Sequence, residues 1–96
     1  MKFAQTKDGT KIAYTTRGEG PLALLFLHGW SGSGAYFDES FKYLDLTGLR
    51  TVTFDLRGHG DSDQPNHGYT DEGIAQDALA VADAVQAERF IAVGLA

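Results

Sequence analysis

The chain contains no cysteine. That absence excludes a disulfide framework, a zinc finger and a cysteine nucleophile together. Basic residues are few: 8 Lys and Arg stand against 13 Asp and Glu, a formal net charge of −5. So acidic a chain lacks the positive footprint that nucleic acid or an anionic membrane surface requires. Long apolar runs are missing as well. The longest, Leu22 to Leu27, is far short of the roughly 20 residues that span a bilayer. Met1 to Gln5 form no apolar signal core, so a cytoplasmic location is the expectation.

What is present suits one small globular domain. The 96 residues are 43% apolar and 22% charged, too hydrophobic for a disordered chain. No internal repeat or low-complexity stretch divides the sequence.

Hydrophobic patterning assigns the elements. Lys2 to Thr6 and Lys11 to Arg17 read as strands joined by Lys7-Asp8-Gly9-Thr10. Asp-Gly predicts a type I′ hairpin turn, which needs positive φ at both central residues. Ile12, Tyr14 and Thr16 alternate with Lys11, Ala13 and Thr15, the pattern of a half-buried strand. Leu22 to Leu27 does not alternate, which predicts a strand buried on both faces of a parallel sheet. Phe37, Phe41 and Leu44 recur at helical spacing, with Gly48 as the stop. Arg50 to Asp55 is β-branched and aromatic, hence a strand. Leu56 to Tyr69 is polar and turn-rich, a long loop. Thr70 is placed to cap a helix, and Asp71 and Glu72 suit its positive end. Ile74, Ala78, Val81, Ala82 and Val85 mark that helix's apolar face. Phe90 to Gly94 is another strand of the buried type.

The predicted order is an N-terminal β-hairpin followed by β-α-β-α-β. This is the α/β class, a parallel sheet covered on both faces with right-handed crossovers. In such sheets chemistry gathers in the loops that follow the carboxyl ends of strands. Three segments fall there: His28 to Gly34, Asp55 to Asp63, and Gly94-Leu95-Ala96.

Each segment by itself permits a structural role. Gly29, Gly32 and Gly34 have the wrong spacing for a dinucleotide turn, and no Gly-Lys-Ser/Thr follows. In Asp55-Leu56-Arg57-Gly58-His59-Gly60-Asp61-Ser62 a carboxylate and an arginine could hold a charged ligand. An Asp/Arg network that merely folds the loop is the simpler reading. A calcium loop starting at Asp61 fails, because Pro65 and Asn66 fall where a ligand and glycine belong. His28, His59 and His67 are not at metal-ligand spacing. No metal and no cofactor is expected. Local hydrogen bonding is expected of His28 and His59, and solvent exposure of His67.

Together, in this order, the three segments resemble the first part of an α/β-hydrolase. The likeness spans all 96 residues. It lies nearest the group of small-molecule esterases, enol-lactonases, C–C bond hydrolases, cofactor-free haloperoxidases and epoxide hydrolases. The resemblance implies that the Trp30 backbone N–H is one oxyanion-hole donor, with His28 and Gly29 beside the substrate. It implies that Asp55 to Ser62 is a structural loop at the site mouth. Val93-Gly94-Leu95-Ala96 would enter the nucleophile elbow, Gly-x-Ser-x-Gly. Ala96 then stands where the family carries its serine, and it has no hydroxyl to attack a carbonyl. The family's acid and histidine would follow later in the chain. None of His28, His59 and His67 occupies the place of the base.

Residues 1–96 are therefore expected to be the N-terminal part of one α/β-hydrolase core domain, ending at the elbow and inactive alone. The implied substrate is a small ester, lactone or related carbonyl compound. A second polypeptide or a continuation is expected to complete the sheet beyond Phe90 to Gly94. The alternative is a non-catalytic protein of the same fold that binds a ligand or a partner.

Overall fold

The structure, a computed structural model, describes residues 2–20, 22–28, 48–87 and 89–94. Its strands are β1 (Lys2–Gln5), β2 (Lys11–Arg17), β3 (Ala23–Leu27), β4 (Arg50–Phe54) and β5 (Phe90–Gly94). Helix α1 covers Asp71–Ala84. The helix expected around Phe37 to Leu44 lies outside the described residues. The strands form one sheet in the order β1-β2-β4-β3-β5. Strand β2 pairs antiparallel with both β1 and β4. Strand β3 is parallel to both β4 and β5.

The hairpin turn differs from the expected type I′. The Gly9 amide bonds to the Thr6 carbonyl at 3.1 Å, so Lys7 and Asp8 are the central residues. Asp8 is not at positive φ; Gly9 is, at 88°. A three-residue loop ending in a left-handed glycine produces this pattern. The Asp8 side chain is engaged with the threonines on either side. Its Oδ1 accepts the Thr6 hydroxyl, the Thr10 hydroxyl at 2.7 Å and the Thr10 amide at 3.2 Å.

Strand β2 departs from simple alternation at Ala13, which is buried. The loop after β4 lies over it. Ala13 N–H donates to the Ser62 hydroxyl at 2.8 Å, and Ala13 C=O accepts Asp55 N–H at 3.0 Å. Lys11, Thr15 and Arg17 remain exposed, as expected.

Helix α1 packs over β1 and β2. Val81 and Ala82 join Ala4, Ile12, Tyr14, Leu25, Val52 and Phe54 in the core. Burying a side chain the size of Ile, Leu or Val contributes roughly 1.5–3 kcal/mol, so this face holds the helix to the sheet. Thr70 caps α1, its Oγ1 accepting Gly73 N–H at 3.1 Å. At the other end Gln86 N–H bonds Asp83 C=O and Ala87 N–H bonds Ala82 C=O, at 3.1 and 2.9 Å. This is a Schellman motif, with Gln86 in the left-handed position at φ 57°.

Strand β5 is the third departure. Its sequence reads as buried on both faces, yet Ile91 is 50% exposed and Ala92 and Gly94 are exposed as well. Among the described residues β5 pairs on one side only, with β3.

Candidate functional site

The parallel strands end together. Leu27 of β3 stands opposite Gly94 of β5, and Phe26 stands opposite Thr53 of β4 and Val93 of β5. His28 and Asp55, the residues after β3 and β4, thus leave the sheet at the edge where β5 also ends. The described ends of the three sequence-predicted segments meet there. Gly29, Trp30 and Ala96 lie outside the described residues.

His28 is buried, 3% exposed. Its Nε2 accepts the Leu56 amide at 3.0 Å. Only a lone pair can accept, so Nε2 carries no proton and the neutral ring is the Nδ1–H tautomer. The His59 ring lies beside it, with centroids 4.9 Å apart and planes tilted by 53°. His59 Nδ1 is 3.0 Å from the Arg57 carbonyl, which can only accept. That nitrogen therefore donates.

The loop from Asp55 to Asp63 is folded onto itself and onto β2. Asp55 Oδ2 accepts Asp61 N–H at 2.9 Å. The Ser62 hydroxyl donates to Asp55 C=O and accepts Ala13 N–H. Asp63 and Lys11 exchange two bonds, Asp63 N–H to Lys11 C=O and Lys11 N–H to Asp63 Oδ2, both 2.9 Å. Side chains thus satisfy donors that a buried loop would otherwise leave unpaired.

Arg57 is the centre of this loop and is fully buried. Its expected Asp/Arg network exists, but the carboxylates come from elsewhere in the fold. Nε and Nη2 bind Asp77 of α1, with the shortest contact 2.7 Å from Nη2 to Oδ1. The Arg57 amide also donates to Asp77 Oδ2 at 3.0 Å. Nη1 reaches Asp8 Oδ2 at 3.0 Å and the His67 carbonyl at 3.3 Å. The bond to Asp77 is the largest cause raising the guanidinium above its ordinary pKa. The Asp8 carboxyl is pushed far below the ordinary carboxylate value by hydrogen bonds from Thr6, Thr10 and Arg57, in that order. The His67 side chain is mostly exposed, its Nε2 3.5 Å from Asp8 Oδ2.

Sequence reasoning did not single out Asp77 or Asp8. A signal for Asp77 was available. It sits three residues after Ile74 and four before Val81, inside the apolar face of α1. An acid there must be neutralised or paired. Asp8 carried no such signal, because a turn aspartate accounts for itself locally.

Among the described residues no cluster of three or more His, Cys, Asp or Glu could hold a metal ion. No described helix is long and apolar enough to cross a membrane.

The comparisons with known proteins agree with this architecture. A family profile for the alpha/beta hydrolase fold matches residues 23–95. A non-heme haloperoxidase of Rhodococcus erythropolis is 40% identical over 81 residues, covering 84% of this chain and 29% of that protein. Epoxide hydrolase 3 of Siraitia grosvenorii is 34% identical over 89 residues, covering 91% of this chain and 28% of the relative. The esterase structure from Exiguobacterium antarcticum superposes with a TM-score of 0.87 at 32% identity. It covers 98% of this chain and 35% of its own. The chain thus spans about a third of the length of these relatives. With the profile matched over most of its length and the same strand framework in a solved esterase, the chain belongs to the alpha/beta hydrolase fold family.

Proposed function

We propose that this chain forms the N-terminal part of a serine-type α/β-hydrolase core domain acting on a small ester, lactone or related carbonyl substrate in the cytoplasm. The observation that carries the reading is the common edge at which β3, β4 and β5 end. The Trp30 backbone N–H is the oxyanion donor contributed by the segment after β3. A fixed backbone dipole stabilises charge developing on a carbonyl oxygen without reorganising. Gly29 allows the backbone to approach the substrate there, with His28 beside it.

Position 96, two residues past β5, is the nucleophile position, and its alanine offers no hydroxyl. The acid, the histidine and the second oxyanion donor come from outside these 96 residues. The exposed, apolar edge of β5 supports the same view. Such an edge is a template for a further strand. A continuation or a second polypeptide pairs with it and completes the sheet.

Two measurements test this. The full chain, together with whatever completes its sheet, is expected to leave a p-nitrophenyl ester intact, and Ala96→Ser is expected to hydrolyse it. Turnover by the unmodified protein would overturn the assignment of position 96. An inert Ala96→Ser protein would favour the second reading, a ligand- or partner-binding member of the fold, to which the missing hydroxyl already points. Native and denaturing mass measurement tests completion. A heavier native species that releases this chain, or a longer covalent chain, supports it. A lone species of 10.4 kDa under both conditions overturns it.

A further inference from the structure

Strand β1 is the other border of the sheet. Among the described residues it pairs on one side only, with β2. Phe3 stands opposite Ala13, and Gln5 opposite Lys11. Both of those β2 residues turn their backbone groups away from β1. Ala13 bonds the Ser62 hydroxyl and the Asp55 amide, and Lys11 bonds the Asp63 carboxylate and amide. Opposed residues of an antiparallel pair exchange both main-chain bonds or neither. Phe3 and Gln5 therefore exchange none with β2, and their N–H and C=O groups point out of the sheet. The Phe3 side chain beside them is 51% exposed. An edge of this kind is a template for another strand.

The same border carries a groove between β1 and α1, lined in part by Gln5, Thr6, Lys7, Leu79 and Asp83. Leu79 is 55% exposed there. Lys7 in the groove and Lys2 on the strand offset Asp83, so two chains of net charge −5 can meet where neither is locally acidic.

We propose that the β1 edge is an interface between two copies of this chain, paired antiparallel about a two-fold axis through Ala4. Phe3 of each copy then faces Gln5 of the other. Each such pair exchanges two main-chain bonds, so every outward group of Phe3 and Gln5 is satisfied. A register centred on Phe3 would satisfy Phe3 alone within Lys2–Gln5. A slip by one residue would oppose side chains from different faces of the sheet. Lys2, Ala4 and Thr6 share the face that α1 covers, since Ala4 packs in the core with Val81 and Ala82. In the Ala4 register Lys2 of one copy faces Thr6 of the other. Thr6 lines the groove together with Asp83. The Lys2 ammonium thus meets the Asp83 carboxylate across the interface, twice by symmetry.

The test uses the full chain with whatever completes its sheet, and needs no turnover. Sedimentation equilibrium is expected to show a dimer. Lys2→Asp and Asp83→Lys, both at exposed positions, are each expected to weaken it about tenfold, because like charges then face each other at two equivalent contacts. Combining the two substitutions in one chain is expected to restore the dimer, which a merely structural role of either residue would not do. The absence of cysteine permits a test of register by oxidative cross-linking. A mixture of Phe3→Cys and Gln5→Cys proteins is expected to form the mixed disulfide, since opposed Cα atoms lie about 5.5 Å apart, within disulfide reach. Neither protein alone is expected to cross-link, because like positions are diagonal neighbours about 7–8 Å apart. A monomer at millimolar concentration overturns the proposal. So does a dimer indifferent to the charge reversals, or one that the combined variant does not restore. A Phe3→Cys thiol shielded from reagent in a monomer would overturn it by showing another strand of the same protein on this edge. Where a charge variant fails to fold, absence of the mixed disulfide overturns the proposal by itself.

Discussion

Arg57 and Asp77, twenty positions apart, are joined by both side chain and backbone: the carboxylate that receives the guanidinium fork also accepts the Arg57 amide. Both side chains are fully buried. Removing one partner from such a pair leaves an uncompensated buried charge, which costs about 3–5 kcal/mol. Asp77→Ala is expected near the lower end, about 3 kcal/mol, because Asp8 still faces Nη1. The measurement is urea denaturation at neutral pH. The double variant Arg57→Met with Asp77→Leu is expected to cost less than either single change, since no charge is left stranded.

Asp8 makes stability depend on acid. Its carboxyl is held well below the ordinary 3.8, first by Thr6, then by Thr10 and Arg57. The unfolded chain therefore binds the proton more readily, and stability falls as pH falls. The contribution is complete well above pH 3.8, the unfolded value, and is lost as pH drops below it toward the folded value. Asp8→Asn is expected to flatten the acid limb of the stability profile below that pH. Chemical denaturation at a series of pH values measures it.

Gly73 lies in the first turn of α1, where alanine is intrinsically the better helix former by about 1 kcal/mol. Gly73→Ala is nonetheless expected to destabilise. A Cβ built there falls 1.8 Å from the Gly68 carbonyl oxygen, a backbone atom of the preceding loop. Overpacking against an unyielding neighbour costs typically about 1–3 kcal/mol. A lowered thermal midpoint is the expected result; a raised one would show that the loop gives way.

Gln86 closes α1 in the left-handed conformation at φ 57°. A side chain in that region costs roughly 1–2 kcal/mol that glycine does not incur. Gln86→Gly is expected to stabilise by somewhat less, about 0.5–1 kcal/mol, because glycine also gains freedom in the unfolded chain. Denaturant midpoints of the two proteins decide it.

How much of this was legible in the sequence differs by kind of interaction. Strand β3 was readable from an unbroken apolar run, and α1 from Thr70, its acidic first turn and its apolar stripe. Those signals are local: periodicity and capping act within one or two turns of chain. That β3, β4 and β5 end at one sheet edge was readable too, because alternating strands and helices leave few topologies. The turn at Asp8 was misread, since the aspartate's preference for a left-handed turn competes with its bonds to Thr6, Thr10 and Arg57.

By itself, then, the sequence determined the α/β class, the order of the five strands and α1, the end of α1 that carries its cap and the strands whose ends share the sheet's carboxyl edge. Tertiary structure alone decided which carboxylates neutralise Arg57, that Ala13 is covered, that β5 is exposed and that His28 grips Leu56. The reason is physical. Propensity and periodicity belong to residues that are neighbours in the chain. Charge pairing, edge exposure and a hydrogen bond between residues 28 and 56 depend on distances that exist only once the sheet has formed.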